Sequence, residues 1–261
     1  MTIPKLIHQT FEHKNFSSDL QEIVDEWSIE NPLFSHKVYD NEECNKFIKD
    51  NFSSRIYQAY IRIKPEAFKA DLWRYCILYK FGGFYVDIDT LCIGSLEEFI
   101  KDSIDFVSPI DLIDFNHGSY IVFNGFIGCT PNHPIMMNCI ERILKWIKLE
   151  TIPNSNYDFS GPGCLGKSVN HHLGRKEDES LIGCEGIYQK TMLIYFEVKN
   201  EYVRDLNNKK ILQNKHRNPY LKKAYNEECN KNPNRIDWGK CNKFEDVIDT
   251  RYPPLYPSFR S

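Results

Sequence analysis

The chain has 261 residues, of which 41% are hydrophobic and 26% charged, and its formal net charge is -3 at pH 7. These values are typical of a folded globular protein and exclude a largely disordered chain. The small net charge gives no basis for non-specific attraction to nucleic acid or to an anionic membrane surface, so neither is expected as a partner. The length favours one large folded unit, and we expect a single domain over residues 1–261.

The cysteines and the N-terminus bear on location. Nine cysteines are scattered without a Cys-x-x-Cys pair, which favours free thiols in a reducing compartment over a disulfide framework or a zinc ribbon. The first 15 residues lack the long apolar stretch of a signal peptide or anchor. Residues 115–140 contain no charged side chain, yet glycines and prolines interrupt them, so they do not predict a membrane span. We therefore expect a soluble cytoplasmic protein.

The first 50 residues alternate between strand and helix patterns. In chain order these are a strand at Ile3 to His8, a helix capped by Ser18 with Gln21, a strand at Ser35 to Tyr39, and a helix capped by Asp40 with Glu43. Such β-α-β-α alternation is typical of an α/β sheet with parallel members.

A helix, a turn and a strand follow one another after residue 64. Pro65 suits the first position of a helix that runs to about Lys80, and Gly82-Gly83 provides a natural end for it. Phe84 to Val86 then has the aromatic and β-branched character of a buried strand. The tight Gly-Gly turn predicts that helix and strand pack closely against each other.

Four charged side chains are expected around the carboxyl end of that strand. Asp87 and Asp89 follow it directly, and ligands of open α/β sheets bind in the crevice at the carboxyl ends of strands. Carboxylate oxygens suit Mg²⁺ or Mn²⁺, which usually bridges to phosphate, so a phosphorylated small molecule is implied. Asp71 and Arg74 lie three residues apart on the preceding helix and would approach the same crevice. The alternatives are a solvated strand end and a surface ion pair.

The later chain gives shorter patterns. We predict strands at Asp105 to Ser108, Tyr120 to Phe123 and Met192 to Val198, a helix from Pro134 to about Lys148, and a loop at Ser160 to Ser168 that leads into a helix. Adjacent helical residues point apart, so His171 and His172 are expected to be surface side chains and not a metal pair.

Four blocks, in family order, resemble glycosyltransferase family 32, the group of yeast initiating α-1,6-mannosyltransferase and bacterial capsular sugar transferases, with the large clostridial glucosylating toxins as distant relatives. The most specific block is "KADLWRYCILYKFGGFYVDIDT" at 69–90, which is similar to the D-x-D signature of that family. The others are "IPKLIHQTF" at 3–11, "NGFIGCTPNHP" at 124–134 and "SGPG" at 160–163. Together they span residues 3–163.

The resemblance implies a GT-A fold, in which helices flank a single Rossmann-like mixed sheet. It also implies transfer of a sugar from a UDP- or GDP-sugar to a glycan or other hydroxyl acceptor, with Mn²⁺ or Mg²⁺ and with retention of anomeric configuration. Carried over by position, Asp71 and Arg74 would hold the donor sugar and Asn124 would face it. Asp87 would contact the ribose and the sugar, and Asp89 would ligate the metal beside Asp87.

The resemblance also assigns residues to the nucleotide and diphosphate. The residues expected to line the nucleotide pocket are Ile7, His8, Gln9 and Thr10. His216 would lie near the diphosphate as a further metal ligand, with the segment 192–261 completing the site, although the Ser-Trp pair usual near this histidine is not evident. Phe11 stands where the family commonly has tryptophan, and it keeps an aromatic face for the base.

Three other functions match parts of the sequence. Residues 161–168 fit the phosphate-binding pattern G-x-x-x-x-G-K-[ST], but the polar residues before them do not predict the strand that such a loop follows. A haloacid-dehalogenase-type phosphatase also uses D-x-D, but it needs Thr or Val where this chain has Leu91. A non-catalytic carbohydrate-binding protein would not need an acid, a guanidinium and a metal together.

Overall fold

The computed structural model describes residues 1–111, 118–197, 199, 201–215 and 218–252. The strands within these residues are β1 Leu6–Thr10, β2 Ser35–Tyr39, β3 Gly83–Val86, β4 Thr90–Cys92, β5 Phe106–Pro109, β6 Phe126–Cys129, β7 Gly186–Tyr188, β8 Thr191–Glu197, β9 Tyr202–Arg204 and β10 Lys210–Asn214. The helices are α1 Ser18–Glu30, α2 Asn41–Asn51, α3 Ser54–Arg62, α4 Glu66–Phe81, α5 Pro134–Lys148, α6 Asn156–Phe159, α7 Pro162–His172, α8 Pro219–Cys229 and α9 Phe244–Val247.

The strands form one mixed sheet flanked by helices. Their order is β2-β1-β3-β6-β5-β8-β9-β10-β4, with β7 paired to β8. The pairs β1–β2, β1–β3 and β5–β8 are parallel, and the remaining neighbours are antiparallel. The element order confirms the predicted opening β-α-β-α pattern. Because β1, β2 and β3 are parallel, their carboxyl ends lie at one edge of the sheet, where a crevice is expected.

Local capping patterns located most of the early helices. The predicted capping box of α2 is confirmed, because Glu43 N donates to Asp40 Oδ1 at 2.9 Å and Asp40 N donates to Glu43 Oε2 at 3.1 Å. The predicted cap of α1 was displaced by one residue, since Ser17 has the extended backbone and its Oγ accepts from Leu20 N. Ser18 is already helical.

Two predictions for the middle of the chain were wrong. Tyr120 to Phe123 is not a strand, because Val122 makes a single bridge with Ile110 and its N–H donates to Pro162 O. The strand of this region is β6, which begins at Phe126, six residues after Tyr120. The expected loop at Ser160 to Ser168 is mostly helix, because α7 already begins at Pro162, a favourable first position.

Helix α4 is buried on several faces and joins β3 through a turn that only glycine permits. Gly82 and Gly83 have φ of 65° and 89°, and a Cβ at Gly83 would lie 2.7 Å from the backbone oxygen of Leu6. Next along the chain, Phe84 and Val86 pack into one buried hydrophobic cluster while Tyr85 packs into another. This close junction fixes α4 beside the carboxyl end of β3.

Two further features concern cysteines and membrane spans. All nine cysteines are free, and seven of them are buried. Over the residues with described structure, no helix has both the length and the apolar character to cross a membrane.

Candidate functional site

A cavity of about 340 Å³ lies where β1 and β3 end. Thr10 and Phe11 line it from the end of β1, and residues 87–89 line it from the end of β3. Helix α4 supplies one wall through Asp71 and Arg74. The cavity therefore lies at the crevice that the strand directions predict.

Arg74 is the centre of the polar groups in this cavity. Its Nη2 lies 3.1 Å from Asp71 Oδ1, and its Nη1 lies 3.3 Å from Asp87 Oδ1. Nη1 also donates to Asn124 O at 2.7 Å, and the guanidinium lies 4.4 Å from the centre of the Tyr85 ring. The guanidinium is buried, and the surrounding carboxylates and tyrosines raise its pKa above the ordinary value despite burial. Arg74 is therefore a fixed positive charge that holds two aspartates in place.

Asp71 is a buried carboxylate that accepts hydrogen bonds from two side chains besides pairing with Arg74. Oδ1 accepts from Asn124 Nδ2 at 2.9 Å, and Oδ2 accepts from Ser160 Oγ at 2.7 Å. Burial raises the pKa of Asp71, while Arg74 and these two hydrogen bonds act in the opposite direction. Ser160 was not singled out as a site residue, although it begins the SGPG block.

Asp87 is more exposed than Asp71, with 30% of its side chain accessible. Tyr85 lies two residues before it on the same face of the chain, and its hydroxyl donates to Asp87 Oδ1 at 2.7 Å. Gln9 Nε2 donates to the backbone oxygen of Asp87 at 3.3 Å. These contacts orient one carboxylate oxygen toward the protein and leave the side chain partly open to the cavity.

Asp89 is paired with a cation from the far end of the chain. Lys215, which directly follows β10, donates through Nζ to Asp89 Oδ2. The same ammonium lies 3.9 Å from the centre of the Tyr225 ring. Sequence patterns did not identify Lys215, because it is one of many lysines in a basic segment and its partner lies 126 residues earlier.

A second C-terminal cation lines the cavity near Lys215. Arg235 donates from Nη2 to Tyr225 Oη at 2.9 Å and from Nη1 to Glu12 Oε1 at 2.8 Å. Its guanidinium lies 5.8 Å from the centre of the Phe11 ring. Phe11, Lys215, Tyr225 and Arg235 thus form an aromatic and cationic part of the cavity lining, which is linked to Asp89 through Lys215.

The predicted nucleotide-lining segment lies only partly at the cavity surface, and its contacts with a nucleotide stay a prediction. Thr10, the last residue of β1, lines the cavity, whereas Ile7, His8 and Gln9 lie further back along β1 and are buried. His8 hydrogen-bonds Gly82 O at 3.1 Å through Nε2, and burial lowers its pKa to about 4. Gln9 acts from behind the site through the Asp87 backbone. Alternation along a strand did not reveal that both faces of β1 are buried here.

The predicted metal ligands are only partly described. His216 lies outside the described residues. Over the part of the chain that the structure describes, no cluster of three or more His, Cys, Asp or Glu side chains is arranged to hold a metal. Asp87 and Asp89 nevertheless supply hard carboxylate oxygens at one cavity edge, and Mg²⁺ or Mn²⁺ is commonly held by one or two carboxylates together with phosphate oxygens. The residues fit a cation bound jointly with a diphosphate, and not an all-protein cage.

The phosphate-binding-loop alternative is contradicted by the local structure. The residues before Gly161 form helix α6 and not a strand. Lys167, which would contact phosphate in such a loop, instead binds Asp158 Oδ2 at 2.7 Å.

The adjacent histidines at the end of α7 differ in burial. His171 is exposed, whereas His172 is half-buried and its ring centre lies 5.2 Å from that of His133.

Comparisons with known proteins agree with the motif resemblance. A family model described as "Glycosyltransferase sugar-binding region containing DXD motif" matches residues 17–105. The initiation-specific alpha-1,6-mannosyltransferase of Schizosaccharomyces pombe is 30% identical over 194 residues, which are 66% of this chain and 49% of that protein. An uncharacterised glycosyltransferase of Acanthamoeba polyphaga mimivirus is 32% identical over 136 residues, 51% of this chain and 52% of that protein. The chain thus spans about half the length of these relatives.

A solved structure supports the fold. The PaToxG glycosyltransferase superimposes with a TM-score of 0.51 and 16% identity, over 66% of this chain and 70% of that chain. The likeness confirms the expected GT-A architecture, in agreement with the mixed sheet flanked by helices. The resemblance to DXD-containing glycosyltransferases is likewise confirmed.

Proposed function

We propose that this chain is a metal-dependent retaining glycosyltransferase that moves a sugar from a UDP- or GDP-sugar to a carbohydrate or other hydroxyl acceptor. The observation that carries the proposal is the cavity in which Arg74 joins Asp71 to Asp87 beside Asp89 and Lys215. This arrangement places acids that can bind sugar hydroxyls next to cations that can bind phosphate. The match of residues 17–105 to a DXD sugar-binding region supports the same activity.

The two sides of the cavity suggest how the donor lies. Asp71, Arg74 and Asn124 would bind the donor sugar, because their hydrogen-bonding groups converge on the closed side. Lys215 and Arg235 would contact the diphosphate. Phe11, with Thr10 beside it, would face the base. The segment 192–261 would thereby complete the site within a single domain over residues 1–261.

A divalent cation, held by Asp89 and Asp87 together with the diphosphate, would offset the negative charge that develops on the leaving group. Lys215 and Arg235 would add fixed positive charge at the same end. Asp71 already accepts hydrogen bonds from Ser160 and Asn124 and pairs with Arg74, so it is poorly placed to act as a covalent nucleophile.

We therefore propose displacement on one face of the sugar. The acceptor oxygen forms a bond to the anomeric carbon as the bond from that carbon to the phosphate oxygen breaks. The bonding electron pair leaves with the nucleoside diphosphate, and the acceptor proton passes to a phosphate oxygen. The anomeric configuration is retained, and the anomer formed can be assigned by proton NMR of the product.

The experiment is a donor panel. Purified protein is incubated with UDP- and GDP-sugars and either Mn²⁺ or Mg²⁺, and release of nucleoside diphosphate is measured with and without simple glycosides. We expect one donor to be turned over and Asp89→Asn to reduce this turnover at least about a hundredfold, a typical loss for a group that stabilises transition-state charge. Asp102→Asn, at an exposed position, is the matched control. No binding and no turnover with any donor would refute the proposal.

We also propose that the protein works in a reducing compartment such as the cytoplasm. The nine free thiols support this location. Its check is the thiol count of freshly isolated protein, which should be nine.

A further inference from the structure

The cavity where β1 and β3 end is called the donor cavity below. A second cavity, of about 670 Å³, lies beside it. The two share part of their lining, namely Asn156, Tyr157 and Trp238. The second cavity, which we call the side groove, is bounded otherwise by the chain after α5 at 150–155, by Gly239 and by residues 242–244. A molecule in the side groove would therefore reach the donor cavity past Trp238.

Trp238 has the geometry of a supported but partly uncovered aromatic surface. It lies 39% exposed on a short 3-10 turn, Trp238–Lys240, while Trp27 and Trp73 are fully buried. Its ring centre is 5.7 Å from that of Tyr157 at an interplanar angle of 88°, and 6.3 Å from that of Phe68. Its backbone oxygen also accepts from Asn156 Nδ2 at 3.1 Å. These contacts hold the ring in one orientation.

Trp238 lies toward the Asp71 side of the donor cavity. Phe68 links it to Phe159, whose ring centre is 5.4 Å away. Phe159 directly precedes Ser160, whose hydroxyl donates a hydrogen bond to Asp71 Oδ2. Lys215, which pairs with Asp89, packs instead against Tyr225. The side groove therefore opens at the end of the cavity assigned to the donor sugar and not at the end assigned to the diphosphate.

The lining of the side groove is mostly neutral and hydrogen-bonding. Its amide and hydroxyl side chains are Thr151, Asn154, Ser155, Asn156, Tyr157 and Asn242. Its charged side chains are one acid and one base, Glu150 and Lys243. Such a lining suits a ligand that carries many hydroxyl groups and no charge. An aromatic ring with an open surface suits the C–H face of a sugar ring, because that face is apolar.

We propose that the side groove binds the acceptor as a neutral saccharide, with Trp238 as the surface on which the acceptor sugar packs. This inference rests on the proposed function, because it assigns the second substrate of the same reaction. The saccharide would enter along residues 150–155, and its reactive hydroxyl would reach the anomeric carbon near Asp71. Trp238 is then a substrate-binding residue that does not touch the donor diphosphate.

The test separates acceptor binding from donor chemistry. With the donor identified by the panel, p-nitrophenyl glycosides of mannose, glucose and galactose serve as acceptors, and hydrolysis of the donor by water is measured separately. For Trp238→Ala we expect the acceptor KM to rise about fivefold to tenfold, the size of a lost aromatic contact, and donor hydrolysis to change by a smaller factor than the acceptor KM. Trp238→Phe should recover most of the loss. Tyr188→Ala, 39% exposed on β7, is the matched control.

A second variant guards against loss of packing at Trp238. Asn154→Arg places a bulky charge at an exposed position of the side groove and should also raise the acceptor KM without changing donor hydrolysis. An acceptor KM unchanged in both Trp238→Ala and Asn154→Arg would overturn the inference while leaving the glycosyltransferase proposal intact. Donor hydrolysis that no glycoside diverts to transfer would also overturn it. Absence of any donor turnover would instead refute the proposed function itself.

Discussion

Arg74→Met tests whether the buried guanidinium holds the site together. Methionine keeps much of the apolar volume but removes every polar contact of Arg74, so Asp71 is left buried with only Ser160 and Asn124 as partners. Removing one partner of a buried ion pair typically costs about 3 to 5 kcal/mol, because the remaining charge is uncompensated. We expect that loss in the free energy of unfolding at pH 7.

The loss should depend on Asp71 and on pH. Arg74 is the strongest of the groups that lower the Asp71 pKa, so its removal raises that pKa further and favours the neutral acid. Protonation removes the buried charge, so the stability deficit of Arg74→Met should shrink as pH falls toward 5. Adding Asp71→Asn, which removes the charge directly, should restore about half of the loss or more.

The measurement is guanidinium denaturation, with the midpoint compared at constant m-value. Arg55→Met is the control, because Arg55 pairs with Glu141 at the surface and should lose no more than about 1 kcal/mol. A loss below about 1 kcal/mol in Arg74→Met would contradict the reasoning. So would a double variant less stable than Arg74→Met alone.

Two other predictions test Lys215 and His8. In Lys215→Met, the affinity for Mn²⁺ in the absence of donor, measured by electron paramagnetic resonance, should increase about fivefold, because the ammonium no longer competes for Asp89. Lys209→Met, which removes a lysine paired with Glu98, is the control. Unchanged or weaker Mn²⁺ binding in Lys215→Met would contradict this competition. The His8 pKa falls from 6.5 to about 4 on burial, so its neutral form contributes stability that is present above pH 6.5 and is lost as pH drops toward 4. The pKa shift corresponds to about 3 kcal/mol of stability. In denaturation curves, the free energy of unfolding of His8→Gln should therefore fall less between pH 6.5 and 4 than that of the unmodified protein. If the two proteins lost stability in parallel over this range, His8 would not be the cause.

Local signals were sufficient for the elements that carry the aspartates. Capping at Asp40, the Gly82-Gly83 turn and the apolar run before Asp87 act over a few residues, so their structural consequences can be inferred from spacing alone. The three-residue spacing of Asp71 and Arg74 likewise predicted that they lie close, and they pair directly. The sequence by itself thus determined the α4–β3 junction and the D-x-D at its end.

The tertiary structure decided what those side chains meet. Asp71 meets Ser160 from 89 residues later, and Asp89 meets Lys215 from 126 residues later. Contacts across such distances depend on how the layers pack, and no local pattern distinguishes one serine or lysine from the others. The same packing buries both faces of β1, including His8. Strand alternation shows that two faces exist but not which layer covers each of them, so the sequence did not predict this burial.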